Sequence, residues 1–132
     1  MVHSIAISSE LTSINDVRYF LEKIFGESNL DKENFNRIFL ALSEAVNNSI
    51  VHGNLYSTSK KVYVRIFHDD INLIVEVNDE GQGFSVDCIE DPTCMKNLKN
   101  EKGRGIFLMR QVAEEVVYSD GGRKVSIRFK IV

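Results

Sequence analysis

The chain is predicted to be an α/β protein of the α+β two-layer sandwich type, with helices covering one face of a mostly antiparallel sheet. Apolar residues recur with the period of strands and helices in the order β, α, α, β, β, loop, α, then one or two strands. Two of the strand patterns are separated only by Asp69-Asp70, which predicts an antiparallel hairpin. Elements that are apolar on one side bury those sides against each other, so two layers are expected.

The first half of the chain predicts one strand and two helices. Val2–Ser8 alternates loosely and indicates a short first strand. Thr12-Ser13 offers a cap for a helix with apolar residues at three-four spacing that ends near Gly26. Asp31 is predicted to cap a longer helix, and Gly53, just past its end, is predicted to be a left-handed cap.

The second half predicts a hairpin, a loop, a helix and a last strand. Lys61–His68 and Ile71–Val77 alternate and form the hairpin. Residues 79–103 have no apolar period, and a stretch of about 25 such residues inside a compact domain is usually functional or mobile. Gly105–Val116 is apolar at helical spacing, and a glycine-rich turn leads into the alternating segment Val125–Ile131.

Length and composition limit the classes of function. With 132 residues, of which 43% are hydrophobic and 27% charged, we expect one domain over residues 1–132 that needs no disulfide or structural metal. The net charge of −3 disfavours direct binding to nucleic acid or to an anionic membrane. No signal-peptide pattern or long apolar run occurs, so we expect a cytoplasmic protein in which Cys88 and Cys94 are reduced and incidental.

The long helix carries two polar residues opposite its apolar face. At about 100° per residue, Glu44 and Asn48 lie together on the side opposite the predicted core residues. Their neighbours on that side are largely apolar, which favours the wall of a pocket. A solvated glutamate and an asparagine near a helix end explain the pattern equally well. The predicted core face comprises Phe35, Ile38, Phe39, Leu42, Val46 and Ser49.

Two glycine-containing segments are candidates for ligand binding. Asp79 ends a predicted strand, and Gly81 and Gly83 after it would let the backbone approach a ligand while the carboxylate accepts a hydrogen bond from an amine. Lys102–Ile106 is predicted to open a helix, where free amides and the helix dipole favour an anion such as phosphate. Each segment is equally compatible with an ordinary turn or loop when taken alone.

The order of these segments adds a family resemblance. Glu44–Asn54, Asp79–Phe84 and Gly103–Met109 resemble the three successive boxes of the Bergerat-type (GHKL) ATPases. Ser43–Asn48 and Gly103–Arg110 look most like the bacterial anti-sigma factor serine-protein kinases. The resemblance spans essentially the whole chain and implies the Bergerat ATP-binding fold.

The resemblance also implies roles for particular residues. The implied cofactors are ATP and Mg²⁺, with Asn48 similar to the magnesium ligand and Glu44 similar to the general base one helical turn away. Asp79 resembles the residue that accepts from the adenine N6 amine, and Gly81 and Gly83 would let the base lie against the backbone.

Further residues match the family by position. Gly103, Arg104 and Gly105 resemble the end of the lid that contacts phosphate. Ser126 lies where the family usually has a threonine whose hydroxyl supports the aspartate and the adenine. Arg18 lies where a family arginine contacts partner proteins.

The implied activity is that of a serine/threonine-protein kinase. It would transfer the γ-phosphate of ATP to a serine of an antagonist (anti-anti-sigma) protein and sequester a sigma factor, and the family allows a homodimer. The alternative is a non-catalytic, ATP-dependent protein-binding switch, in which the nucleotide sets partner affinity and little phosphate is transferred.

Overall fold

A computed structural model describes residues 2–82 and 100–132, the first four of the latter by their backbone alone. A short 3₁₀ turn precedes each of the first two helices, and a π-helical turn, Ser49–Gly53, follows the second. The main elements are β1 (Val2–Ser8), α1 (Ile14–Glu27), α2 (Phe35–Asn48), β2 (Lys61–His68), β3 (Asn72–Asn78), α3 (Asn100–Val112), β4 (Glu115–Ser119) and β5 (Lys124–Lys130).

The strands form one five-stranded sheet in the order β1-β2-β3-β5-β4. Every pairing of neighbours is antiparallel; Ile5 lies opposite Val64, for example, and Val75 opposite Ile127. Strand residues alternate between buried and more exposed positions, as expected when one face of a sheet is covered by helices. The predicted two-layer α/β fold with a mostly antiparallel sheet is confirmed.

The core lies between the sheet and the helices. Ile38, Leu42 and Val46 of α2 are fully buried, as its apolar period predicts, while Phe35 and Phe39 are only partly buried. Phe129 of β5 is among the largest fully buried side chains. Burying a side chain of this kind contributes roughly 1.5–3 kcal/mol, so these contacts dominate the attachment of helix to sheet.

Two predicted element boundaries are wrong. The alternation predicts that Ile71 belongs to the second hairpin strand, but β3 begins at Asn72. Ile71 is exposed in the turn, where Asp69 Oδ1 accepts from the backbone amides of both residues. The helical spacing predicts that Val116 belongs to the last helix, but it lies in β4, opposite Ile127 of β5. Two strands therefore follow the last helix, which ends at Val112.

The predicted caps have mixed outcomes. Asp31 Oδ1 accepts from the amide of Glu33, 3.0 Å away, and so caps the 3₁₀ turn before α2. Ser13 precedes α1, but its side chain makes no capping hydrogen bond to the helix. Gly53 is not the predicted left-handed cap; the positive φ angles lie at Leu55 and Tyr56 instead. The chain turns there after the π-helical turn has widened the end of α2.

Candidate functional site

A cavity opens where α2 and its π-helical turn meet the end of β3 and the connection between β4 and β5. The lining combines apolar strand residues with polar groups from the helix end, which is typical of small-molecule sites. The residues that line the cavity are Ala45, Asn48, Ser49, His52, Gly53, Val77, Asp79, Tyr118, Gly122, Arg123 and Val125.

Asp79 is held at the end of β3 by backbone hydrogen bonds. Its amide donates to the carbonyl of Arg123 at 3.0 Å, which continues the strand pairing by one residue. Its Oδ1 accepts from the amide of Gly81 at 2.9 Å, so the carboxylate folds back over the turn that follows. Asp79 is buried, and a buried carboxylate needs partners to offset the loss of hydration. The side chain is therefore fixed in direction as well as in position.

Glycine is required on both sides of this carboxylate. A Cβ atom on Gly53 would overlap the carboxylate of Asp79, and a Cβ atom on Gly81 would overlap the carbonyl of Gly53. The end of the α2 segment and the turn after β3 can therefore approach each other only because both residues lack a side chain. This close approach, rather than a positive φ angle, is the structural role of Gly53.

A second close approach joins α2 to α3. Gly105 is buried in α3, and a Cβ atom built on it would lie 2.8 Å from Glu44 Oε2 and 3.3 Å from Asn48 Nδ2. The structure thus brings together three predicted site residues, of which Gly105 lies more than fifty positions beyond Glu44 and Asn48 in the chain. Asn48 also lines the cavity, so it connects this cluster to Asp79.

Asn48 is a buried amide with an unused donor. The residue is 8% exposed, and its Nδ2 has no hydrogen-bond partner among the described residues. An unsatisfied buried polar group costs about 1–3 kcal/mol, so such a group is usually matched by a ligand or water. Across residues 2–82 and 100–132, no group of three or more His, Cys, Asp or Glu side chains could hold a metal ion.

Two predicted site features, the start of the last helix and the direction of the Ser126 side chain, differ from the structure. Lys102–Ile106 does not open a helix, because α3 already includes Asn100, and Gly105 acts by lacking a side chain rather than by offering a terminal amide. Arg104 next to it is exposed. Ser126 does not face the cavity: it alternates with buried Val125, which does line the cavity, and so points to the other face of the sheet.

The remaining predicted residues lie elsewhere. Arg18 is exposed on α1, where its Nε is 3.0 Å from Glu22 Oε1 and its guanidinium lies 5.1 Å from the centre of the Phe39 ring. Gly83, most of the lid at 85–102, and both cysteines fall outside the described residues. The role of Gly103 in contacting phosphate stays a prediction.

Several residues that line the cavity were not predicted from the sequence. His52 comes from the π-helical turn, and Arg123 lies immediately before β5. Tyr118 lies in β4, and burial raises the pKa of its hydroxyl well above the ordinary value. The alternation of Val116 and Tyr118 is typical of a strand and could have indicated β4. The helical spacing that precedes it includes Val116 and therefore favoured a helix.

Asn54 was also not predicted, although its side chain makes three hydrogen bonds beside the site. It is 1% exposed, its Oδ1 accepts from the amide of Glu80 at 2.9 Å, and its Nδ2 donates to Ser9 Oγ at 2.9 Å and to the carbonyl of Lys61 at 3.0 Å. It therefore ties the turn after β3 to the start of β2 and to the end of β1.

Comparisons with known proteins agree with this fold. The family model described as the histidine kinase-like ATPase domain matches residues 7–129. No curated protein matches the chain. The crystal structure of the RsbU and RsbW domains of Rv1364c from Mycobacterium tuberculosis is similar, with a TM-score of 0.64 and 17% identity, over 98% of this chain and 31% of that one. This chain thus spans about a third of the length of that protein chain, and the similarity shows the fold alone.

Proposed function

Because this chain belongs to the histidine kinase-like ATPase domain family, we propose that it is an ATP-dependent serine/threonine-protein kinase of the anti-sigma factor type. The observation that carries the proposal is the contact of Gly105 with the Glu44 carboxylate and the Asn48 amide, beside a cavity that contains Asp79. Phosphate transfer from ATP requires a general base, a ligand for Mg²⁺ and a group that recognises adenine. Glu44, Asn48 and Asp79 would supply these three in turn.

Asp79 would recognise the adenine base. Its Oδ1 is used by the Gly81 amide, and as a carboxylate it has further lone pairs with which to accept from the N6 amine. Gly81, and by prediction Gly83, would let the base lie against the backbone. Because guanine has an oxygen at the position of the N6 amine, ATP should bind about tenfold or more tightly than GTP.

Asn48 would supply the protein's ligand to Mg²⁺. Mg²⁺ takes oxygen donors and usually binds proteins through one or two side chains while phosphate oxygens and water complete its shell. The Asn48 Nδ2 has no partner among the described residues, so no contact of that atom prevents the amide from turning to direct its oxygen at the ion. Bound Mg-ATP would provide the phosphoryl group and the charge neutralisation that its transfer needs.

Glu44 would act as the general base. The carboxylate accepts the proton of a serine hydroxyl as that oxygen forms its bond to the γ-phosphorus, while the bond from the γ-phosphorus to the bridging oxygen breaks and ADP leaves. Arg104 and Gly105 would lie beside the phosphates at the end of the lid. The narrow space between Gly105 and Glu44 would keep the carboxylate directed towards the acceptor.

Partner proteins would bind through the surface of α1. Arg18 is held by Glu22 and by two phenylalanine rings of α2, so its guanidinium is oriented while it stays exposed, and Tyr19 beside it is 70% exposed. Oriented arginines and exposed aromatics are enriched at protein interfaces. We assign a sigma factor and an antagonist protein that carries the acceptor serine as the partners, with the protein acting in the cytoplasm.

Transfer of labelled phosphate from ATP to a candidate antagonist protein tests the proposal. Glu44→Gln should keep ATP affinity and lose about 10²- to 10⁴-fold in transfer rate, because a general base acts mainly in the transition state. Asn48→Ala should weaken both binding and transfer. Glu33→Gln, an exposed glutamate in the 3₁₀ turn before α2, is the matched control and should change neither.

The same assay separates the kinase from the binding switch. If the protein binds ATP and its partner tightly but no transfer depends on Glu44, the kinase function is refuted. The non-catalytic switch then accounts for the site.

A further inference from the structure

We propose that Asn54 is a positioning residue for base recognition, which acts by fixing the turn that carries Asp79. This inference rests on the proposed ATP site. Asn54 does not line the cavity, so any effect it has on nucleotide selectivity must pass through the residues it holds.

The hydrogen bonds of Asn54 define one orientation of its amide. The carbonyl of Lys61 requires a donor and the amide of Glu80 requires an acceptor, so Nδ2 must face Lys61 and Oδ1 must face Glu80. Ser9 Oγ donates its own proton to the carbonyl of Lys60 and is therefore free to accept from the second Nδ2 proton. Both Nδ2 protons and the oxygen are thus used, and an aspartate could not replace the asparagine because it has no proton for Lys61.

The residue held by Asn54 lies at the centre of the base-reading turn. Glu80 follows Asp79 and precedes Gly81, whose amide donates to the Asp79 carboxylate. The exposed Glu80 carboxylate accepts from the amide of Lys61, and its backbone amide donates to the buried side chain of Asn54, so Asn54 holds the turn from the interior of the protein. Asn54 therefore fixes the distance between the Asp79 carboxylate and Gly53.

The backbone of Asn54 belongs to the helix end on the opposite wall. Its amide donates to the carbonyl of Ser49 at 2.7 Å and so closes the π-helical turn that includes His52 and Gly53. One residue thus fixes the two walls of the cavity relative to each other: the backbone holds the helix end and the side chain holds the turn after β3. Because a displacement of about 1 Å removes a hydrogen bond, this spacing matters for recognition of the base.

The experiment compares ATP with purine riboside triphosphate, which lacks the 6-amino group, by calorimetry. The wild type should prefer ATP by about tenfold or more, since only ATP has the N6 amine that can donate to the Asp79 carboxylate. Asn54→Ala should reduce this preference to about threefold or less and change the affinity for the analogue by about twofold or less. In an Asp79→Ala background, Asn54→Ala should have no further effect on the ratio.

Ser9→Ala is the matched control. It removes a buried partner of Asn54 but leaves the bond to Glu80, so it should lower the thermal midpoint while keeping the preference for ATP. An Asn54→Ala protein that is folded and keeps the wild-type preference would overturn the inference and leave the ATP site standing. A wild type that binds neither nucleotide would overturn both.

Amide exchange of the wild type provides a test that needs no variant. The Glu80 amide should exchange slowly without nucleotide, because its acceptor is a buried side chain. ATP should slow the exchange of Glu80 and Gly81 further, and purine riboside triphosphate should not. Fast exchange of Glu80 in the free protein would show that the turn is not fixed by Asn54 and would overturn the inference even if Asn54→Ala fails to fold.

Discussion

Adding a single methyl group at Gly53 should impair nucleotide binding more than it impairs folding. In Gly53→Ala the new Cβ would lie 2.5 Å from Cγ and 2.9 Å from Oδ1 of Asp79, whereas ordinary contacts begin at 3.4 Å. The carboxylate must therefore move by about 1 Å, because the buried site leaves little room for the backbone to give way. A hydrogen bond stretched by that amount is lost.

The expected magnitudes follow from this displacement. Loss of the bond to the base costs about 1–3 kcal/mol, which corresponds to about 5- to 150-fold weaker ATP binding. Overpacking costs about 1–3 kcal/mol of stability, which a domain with about 5–15 kcal/mol can tolerate while remaining folded. Calorimetry gives the affinity, and urea denaturation gives the free energy of unfolding.

Gly26→Ala is the control for this change. A Cβ atom there meets nothing within 4 Å, and the residue lies exposed in the last turn of α1. The substitution should leave ATP binding unchanged and raise stability by about 0.5–1 kcal/mol, because alanine restricts the unfolded chain. If Gly53→Ala binds ATP as tightly as Gly26→Ala does, the close approach to Asp79 has no part in recognition and the reasoning is refuted.

Three further predictions concern the core, the pH dependence and the phosphate end of the site. Phe129→Ala should lower the free energy of unfolding by about 3–5 kcal/mol in urea titrations, because Phe129 is fully buried; a loss below about 1 kcal/mol would contradict its place in the core. Burial and nearby His3 lower the pKa of His68 below 6.5, so the unfolded state binds more protons as the pH falls through that value. The contribution of His68 to the free energy of unfolding should therefore be fully present above about pH 6.5 and decline below it. His68→Gln should flatten this part of the curve of urea midpoint against pH, and an unchanged slope would exclude His68 as the source of the decline. Gly105→Ala should displace the Glu44 carboxylate and slow phosphate transfer by about 10²-fold while leaving the urea midpoint nearly unchanged, and a wild-type transfer rate would show that this contact is not used.

Much of the candidate site could be predicted from the order of its segments. Glu44 and Asn48 share a helix face by their spacing, and Asp79 ends a strand by its place after an alternating run. Ser126 shows the limit of carrying a role over from a family. Its own neighbours, Val125 and Ile127, alternate as buried residues, so its side chain had to lie on the other face. Alternation along the strand therefore predicts the direction of the Ser126 side chain correctly, whereas the family resemblance does not.

Boundaries depended on contacts between distant segments. Val116 continues a helical spacing, and short apolar runs fit helix and strand equally well. The strand is favoured because Val116 pairs with Ile127 of β5, and this pairing would be lost if the helix continued through Val116. Ile71 likewise fits the alternation of β3, but its amide donates to the Asp69 side chain in the preceding turn, and β3 begins one residue later, at Asn72.

By itself the sequence determined the order of elements, the apolar faces of α2 and the hairpin, and the segments that carry the candidate site. These features depend on local periodicity and on residue types close together in the chain. Only the tertiary structure decided that Gly105 meets Glu44, that Gly53 must lack a side chain to admit Asp79, and that Asn54 joins β1, β2 and the turn after β3. Such contacts join residues far apart in the chain. Their distances depend on how the sheet and the helices pack against each other, and local sequence patterns do not predict this packing.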